Sequence, residues 1–421
     1  MRFVHRDQPG RAVLLAYCLN VHPAEDLTGV LEGLTGVALP LAGRLGEGRP
    51  FGIGLYLPEP AVGELLERDP ARVALRELCR LGGLDPFTFN AFPIGRFHRA
   101  GLKAAVFEPR WDEPQRQRYT LDVARIALDL ERGLRRGPTP AARHLSISTH
   151  AGAHAGAAPP HSPALASGLG RTSRELDSLR GPGDPRLVLA IEPEPRSSAN
   201  DSAEWLQRVP AWRAAAGLGP EAGPDQGAFG LCLDACHAAV EFEAPVEAAD
   251  RARRAGRPLG KFQFTSALSL PRPGADALGR ARLLALDEPV FLHQTSAQLP
   301  DGRVLRAGDL PELARRLADE PDWLAAAEWR CHFHVPLGRR QAFESAGGLT
   351  TTQAHADRLL DELLSDPDRW GLPELHLELE TYTWSLLGQA AQGAGSLVDR
   401  LAAEYAHALE RLQARGWTRA A

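Results

Sequence analysis

Short apolar runs alternate with stretches of helical periodicity along almost the whole chain. The runs are AYCLNVHP (16–23), FGIGLYLP (51–58), FTFNAFP (87–93), HLSISTH (144–150), RLVLAIEPEP (186–195), FGLCLDACH (229–237), GKFQFTSALSL (260–270), RCHFHVPL (330–337) and ELHLELETYTW (374–384). Between most of them lie Ala/Leu/Arg-rich segments such as PARVALRELCRLG, YTLDVARIALDLERGL and TQAHADRLLDELLSD. Strand then helix in repetition predicts a parallel sheet covered by helices. Nearly continuous apolar strands flanked by helices are what a closed barrel requires, so the expected fold class is α/β, a (β/α)8 TIM barrel. Nine candidate strands compete for its eight places, and one is therefore extra.

The 421 residues exceed the roughly 250 that such a barrel needs, and two insertions stand out. Residues 151–169 (AGAHAGAAPPHSPALASGL) show no period and read as a flexible loop, an active-site flap whose deletion should cost little stability. Residues 288–307 read as an inserted β-hairpin, FLHQTSA and RVLRA joined through Pro300, Asp301 and Gly302. No repeat or linker divides the rest, which predicts one barrel domain over 1–421.

Side chains two apart share one face of a strand. Glu192 and Glu194 do so in AIEPEP, His376, Glu378 and Glu380 in LHLELE, His332 and His334 in HFH. Lys261, Gln263 and Thr265 share a face in GKFQFT, and Cys18, Asn20 and His22 in CLNVH. Such sets fit either a half-exposed antiparallel sheet or a barrel whose polar faces line the lumen. The barrel fits better, because the polar residues gather at the C-terminal ends of the runs, where barrels assemble their sites.

Glu192, Asp234 and Glu380 each end an apolar run. Buried anions in one pocket repel one another unless protons or a cation intervene, so a divalent metal ion is expected. Carboxylates with one or two imidazoles suit Mn²⁺, Fe²⁺, Zn²⁺ or Mg²⁺. His237, one turn after Asp234, is a candidate ligand or orienter. His332 and His334 are the foremost imidazole candidates, with hydrogen-bonded core histidines as the plainer alternative. Asn20, His22, Asn90, Gln263 and His293 join His332 as candidate substrate contacts.

Composition narrows the class. Hydrophobic residues at 44% and charged residues at 24% are those of a globular chain. With 48 basic against 53 acidic residues, the net charge of −5 argues against nucleic acid as a partner. Five cysteines without a CxxC pair favour a reducing compartment over a disulfide framework. Charged Arg2, Arg6, Asp7 and Arg11 leave no room for a secretory leader, and no apolar stretch of about 18 residues exists to span a membrane, so a soluble cytoplasmic protein is expected. Only Lys103 and Lys261 are lysines among the basic residues. Lys261 is expected to face the carboxylates and offset their charge or hold a substrate oxyanion, or else to serve as a structural cation. GxxxxGK[ST], HExxH, GxSxG and GxGxxG are absent, which removes the usual markers of nucleotide cradles, zincins and serine hydrolases.

The ordered Glu192, Asp234-x-x-His237 and Glu380 resemble the sugar isomerase/epimerase and AP-endonuclease-like superfamily of xylose-isomerase-type TIM barrels. The segments YCLNVHPAEDL, LDPFTFNAFPIGRFH, LKAAVFEPRW, LAIEPEP, CLDACHAAVEFE, KFQFTSAL, FLHQT, HFHVPL and LELETYTW further resemble the EboE family of metabolite-traffic proteins, over nearly the whole chain. The resemblance implies a xylose-isomerase-like barrel that processes or exports a small-molecule metabolite. It also implies partners among other ebo-cluster proteins, including a membrane prenyltransferase-like protein. The expected activity is that of a metal-dependent isomerase or epimerase, with Glu192, Asp234, His334 and Glu380 as ligands and Glu192, Glu380, Lys261 and His237 as catalytic groups. One departure matters. Where the superfamily carries a metal histidine on the strand after DxxH, this chain offers Lys261 and Gln263, so either HFHVPL supplies the imidazole or the metal site is weakened. A non-catalytic metabolite-binding protein is the alternative, and an AP-endonuclease-like phosphodiesterase comes third.

Overall fold

The computed structural model describes the chain except residues 96, 97, 99, 136–142, 220–226, 342–347, 384–394 and 421. After an edge strand β1 (Arg2–His5), the barrel strands follow in order: β2 (Ala12–Cys18), β3 (Phe51–Tyr56), β4 (Leu84–Asn90), β5 (His144–His150), β6 (Arg186–Glu192), β7 (Phe229–Asp234) and β8 (Leu259–Phe264). A second sheet is then inserted, made of β9 (Ser266–Pro271), β10 (Thr295–Gln298), β11 (Val304–Ala307), β12 (Glu328–Val335) and β13 (Thr350–Thr351). The chain returns to the barrel with β14 (Glu374–Leu379) and ends in β15 (Trp417–Arg419), which pairs with β1. β14 runs parallel to both β8 and β2 and closes an eight-stranded parallel barrel.

Helices cover the outside for the reason their sequences announce. The helix Asp69–Gly82 buries Ala71, Leu75 and Cys79 along one stripe and stops at Gly83, whose φ of +64° lets its N–H reach the Cys79 carbonyl. No helix among the described residues is long and apolar enough to cross a membrane.

The extra candidate strand is HFHVPL. It forms β12 at the centre of the inserted antiparallel sheet, whose order is β11-β10-β12-β9-β13. GKFQFTSALSL, read as one run, breaks at Thr265 into a barrel strand and an insert strand. The hairpin expected at 288–307 is present with four-residue strands, β10 and β11, but it is only the edge of a larger insert. That insert has its own core of Leu268, Leu270, Trp323, Trp329, Phe333 and Val335, so the expectation of one barrel domain with a hairpin understated it. Alternation along a strand reads the same whichever sheet receives it. On β12, Cys331, Phe333 and Val335 point into the insert core, which turns His332 and His334 toward the barrel mouth.

The stretch 151–169 is also corrected. Ala151 and Ala153 are buried, His154 bridges to Ser197, and Pro163 begins the helix Pro163–Leu179. Proline in a first helical turn was the readable signal, obscured by the surrounding glycine and alanine.

Inside the barrel the lumen is polar in layers. At the bottom the rings of His144 and His376 stack 3.6 Å apart, and burial holds both imidazoles neutral, His144 pushed down to about 3. Above them Lys261 Nζ donates to Glu378 Oε2 at 2.8 Å, Asn90 Oδ1 at 2.8 Å and Ser148 Oγ at 3.0 Å, with no exposure to solvent. Room for Glu378 comes from Gly54, where a Cβ would fall 1.7 Å from Glu378 Oε1.

Candidate metal centre

The top of the lumen is assembled from five places in the chain. Glu192 ends β6, Asp234 ends β7, Glu380 follows β14, Asn20 sits in the single turn after β2, and β12 supplies His332 and His334 from the insert. Asp234 caps the helix Ala235–Val240 by accepting the His237 N–H at 2.7 Å, which brings the His237 ring back over the mouth. One oxygen from each of Glu192, Asp234 and Glu380 lies within 4.8 Å of the others. Donor atoms of Asp234, His237 and His334 converge equally closely, as do those of Glu194, His237 and His332.

Hydrogen bonds to the outer ring nitrogens decide the tautomers. His332 Nδ1 donates to Gln294 Oε1 at 2.5 Å, and His334 Nδ1 donates to the Glu380 carbonyl at 2.9 Å. Both Nε2 atoms therefore carry lone pairs, and they face each other at 2.9 Å. His237 Nδ1 lies 3.1 Å from Glu192 Oε1, with its Nε2 3.2 Å from that of His332. Outer-nitrogen bonds of this kind are what fixes histidines for metal ligation.

The carboxylates tell the same story. Asp234 Oδ2, Glu380 Oε2 and Glu194 Oε2 are buried without a hydrogen-bond partner. Burial pushes Asp234 up to about 7 against the pull of His237, and Glu194 up to about 8. Burial and the charges of Glu192 and Glu378 push Glu380 well above the carboxylate range. Burial alone would lower His237, but Asp234 and Glu192 outweigh it and raise it to about 10. Burial holds His332 and His334 low, so both stay neutral. Paired lone pairs beside orphaned carboxylate oxygens are a donor set that a divalent cation completes.

Of the residues singled out from sequence, Glu192, Asp234, His237, His332, His334, Glu380 and Asn20 come together here, Asn20 donating to Glu380 Oε1 at 2.6 Å. Asn90 lines the same pocket and also accepts from Lys261. Lys261 itself sits one layer lower, bound to Glu378, and Gln263 accepts from Cys232 Sγ at 2.9 Å in the lumen wall. Neither lines the pocket: Lys261 stands as the structural cation that was its alternative, and Gln263 is not among the pocket contacts where it was expected. His22 lies on the outer side of β2, 3.2 Å from the Tyr17 hydroxyl and against Gly33. It sits just past the strand end, where strict alternation no longer sets direction. His293 stacks on Phe333 at 3.8 Å and bonds to the His332 carbonyl, so it supports β12 and does not line the pocket.

Sequence reasoning left out Glu194, Cys236 and Tyr382. Glu194 was legible through its shared face with Glu192. Cys236 offers its sulfur beside His332 and His334, and Tyr382 stacks on His334 with ring centroids 4.5 Å apart.

No family model matches the chain, and no curated protein does. Among solved structures, it is similar to the IolI protein with a bound zinc atom, at 11% identity over 96% of this chain and 99% of that one, TM-score 0.45. A xylose isomerase domain protein from Planctomyces limnophilus aligns at 13% identity over 96% of each chain, TM-score 0.45. A Thermus thermophilus protein, TTHB071, soaked with ZnCl2, aligns at 22% identity over 73% of this chain and 96% of that one, TM-score 0.33.

Proposed function

We propose that this protein is a divalent-metal-dependent enzyme of the isomerase or epimerase kind, acting on a small polyhydroxy or carbonyl metabolite. The observation that carries the reading is the pair of imidazole lone pairs 2.9 Å apart beside orphaned carboxylate oxygens at the barrel's C-terminal mouth. Glu192, Asp234, Glu380 and His334 would hold the ion. When bound, it supplies Lewis acidity toward a substrate carbonyl and its adjacent hydroxyl.

The chain's own groups then divide the work. Asn20 fixes Glu380, and His237 fixes Glu192, which leaves those glutamates as poor proton carriers. Glu194, with a free Oε2 facing the pocket, takes the proton from the carbon beside the carbonyl. Returning it to the former carbonyl carbon, with the hydroxyl proton passed to the carbonyl oxygen, gives isomerisation; return to the opposite face of the same carbon, which needs a second, protonated donor, gives epimerisation. Phe92 and Tyr382 wall the pocket and exclude water.

The test is metal analysis of protein purified without chelator, followed by deuterium incorporation from D2O into a panel of hydroxy-aldehydes and hydroxy-ketones. Glu194→Gln should keep the metal and slow exchange by about 10²-fold or more. Protein free of metal under loading conditions would overturn the reading.

A second reading, a metabolite-binding protein of the EboE kind that hands its cargo to a membrane partner, is favoured by one observation. The pocket between these residues holds only about 30 Å³, too little for a substrate without opening. Metal-loaded protein that retains a panel compound on dialysis but exchanges no deuterium would select it.

A further inference from the structure

The lower lumen carries a second donor set that the proposed activity does not use. His144 opens β5, while His376 and Glu374 lie on β14, so the set joins two strands across the lumen; none is more than 1% exposed. His144 Nε2 donates to the Gly260 carbonyl at 3.2 Å, so its Nδ1 carries the lone pair. Ser146 Oγ donates to Thr88 Oγ1 at 2.7 Å and accepts from His376 Nδ1 at 2.9 Å, which places that ring's lone pair on Nε2. Glu374 gives Oε1 to Arg2 and keeps Oε2.

These remaining atoms, His144 Nδ1, His376 Nε2 and Glu374 Oε2, are all buried without a hydrogen-bond partner. One donor atom from each residue lies within 4.8 Å of the others. Three acceptors without a donor among them form a set that no protein group here completes. Two neutral imidazoles and one carboxylate match the protein donors of Zn²⁺, Co²⁺ and Fe²⁺ sites. The serine and carbonyl bonds to the outer nitrogens fix which nitrogen of each ring keeps its lone pair. A hollow of about 320 Å³ lined by Arg2, Leu84, Asp85, Arg143 and Glu374 lies at the barrel's N-terminal end and reaches the set at Glu374.

We propose that His144, His376 and Glu374 form a second, structural site for a divalent transition-metal ion, one that braces β5 against β14 below the Lys261–Glu378 pair. The two rings lie within 8° of parallel, so one of them tilts when the ion binds.

Equilibrium dialysis of the full chain against Co²⁺ or Zn²⁺, with metal analysis, tests this. The variant carrying both Glu192→Gln and Asp234→Asn, which disables the upper centre, should keep one equivalent. Adding His144→Gln should remove it while the circular dichroism spectrum stays unchanged. Glu374→Gln and Ser146→Ala, which leave both rings in place, should each weaken binding roughly 10–100-fold, and they keep the test decisive if His144→Gln fails to fold. A double variant that binds no metal would overturn the site, as would an equivalent that survives Glu374→Gln and Ser146→Ala undiminished. Failure of the upper centre looks different: the unaltered chain then binds one equivalent, and the double variant keeps it.

Discussion

Glu378 and Glu380 stand two residues apart on one strand and face the same lumen, yet they live under opposite conditions. Glu378 has a covalently tethered cation, Lys261 Nζ at 2.8 Å, sealed from solvent and shared with Asn90 and Ser148. Glu380 has no cation bonded to it; Glu192, Glu378 and Asp234 around it share its sign and push its carboxyl up, against the lesser pull of Lys261. Two residues of chain thus separate a sealed ion pair from a cluster in which one imidazolium, His237, faces several carboxylates and leaves excess negative charge for an exchangeable cation or protons to relieve. The difference teaches where the barrel is scaffold and where it is instrument: an internal counter-ion builds structure, and a missing one leaves room for chemistry.

Breaking the finished pair should have the largest effect. Glu378→Gln or Lys261→Met alone leaves a buried charge uncompensated and should cost about 3–5 kcal/mol, read by denaturant unfolding. Lys261→Met combined with Glu378→Leu should recover most of that loss. A single variant as stable as the unaltered chain would erase the contrast between the layers.

Next in size is the upper cluster. Asp234→Asn and Glu192→Gln should each remove most of the bound metal without unfolding the protein. Loaded with ion at about 100 times its dissociation constant, the unaltered protein should gain roughly 2.7 kcal/mol that both variants lack. After chelation that difference should vanish, because each variant then loses a buried anion from the cluster but also a partner of the His237 imidazolium. Unchanged metal content in both variants would dissolve the centre.

Two substitutions probe the fit of the middle layer. Gly54→Ala pushes a methyl group into Glu378, and Lys261→Arg puts a larger planar cation where an ammonium fits, so each should cost about 1–3 kcal/mol by overpacking. Metal stoichiometry at the upper centre should not change in either. A loss of upper-site metal in Lys261→Arg would move Lys261 back into the site. The smallest expected effect is at His22, which lies on the outer side of β2: His22→Gln should leave metal affinity unchanged within about twofold, checked by dialysis.

Much of this arrangement was legible in the sequence alone. The eight barrel strands, the gathering of Glu192, Asp234, His237 and Glu380, and the supply of imidazoles by HFHVPL follow from alternation and from polar residues at strand ends. What alternation does not encode is which sheet a strand joins. β12 reads as a barrel strand because its buried face is as apolar as theirs, although that face, Trp329 included, packs on Trp323 and the insert core rather than on the barrel helices. Depth along the lumen was equally hidden: Lys261, two residues before Gln263 and on the right face, stops one layer short of the carboxylates it was expected to join. His22 and His293 failed for a third reason, since both lie outside regular strands, where the two-residue period carries no direction.

The two ends of the insert meet. Ala267 N donates to Thr352 Oγ1 at 2.8 Å, and Thr352 N donates to the Ala267 carbonyl at 2.9 Å. For a newly made chain this contact is a shortcut. The last barrel strand must find β8 and β2 across everything between residues 266 and 351, and an unfolded segment of that length adds to the entropy of closing the ring. If the insert collapses first around its own tryptophans, it pins its termini together and hands β14 back beside β8. The imidazoles then reach the mouth in the same event that seals the barrel wall, so occupancy of the upper centre would report that the ring has closed.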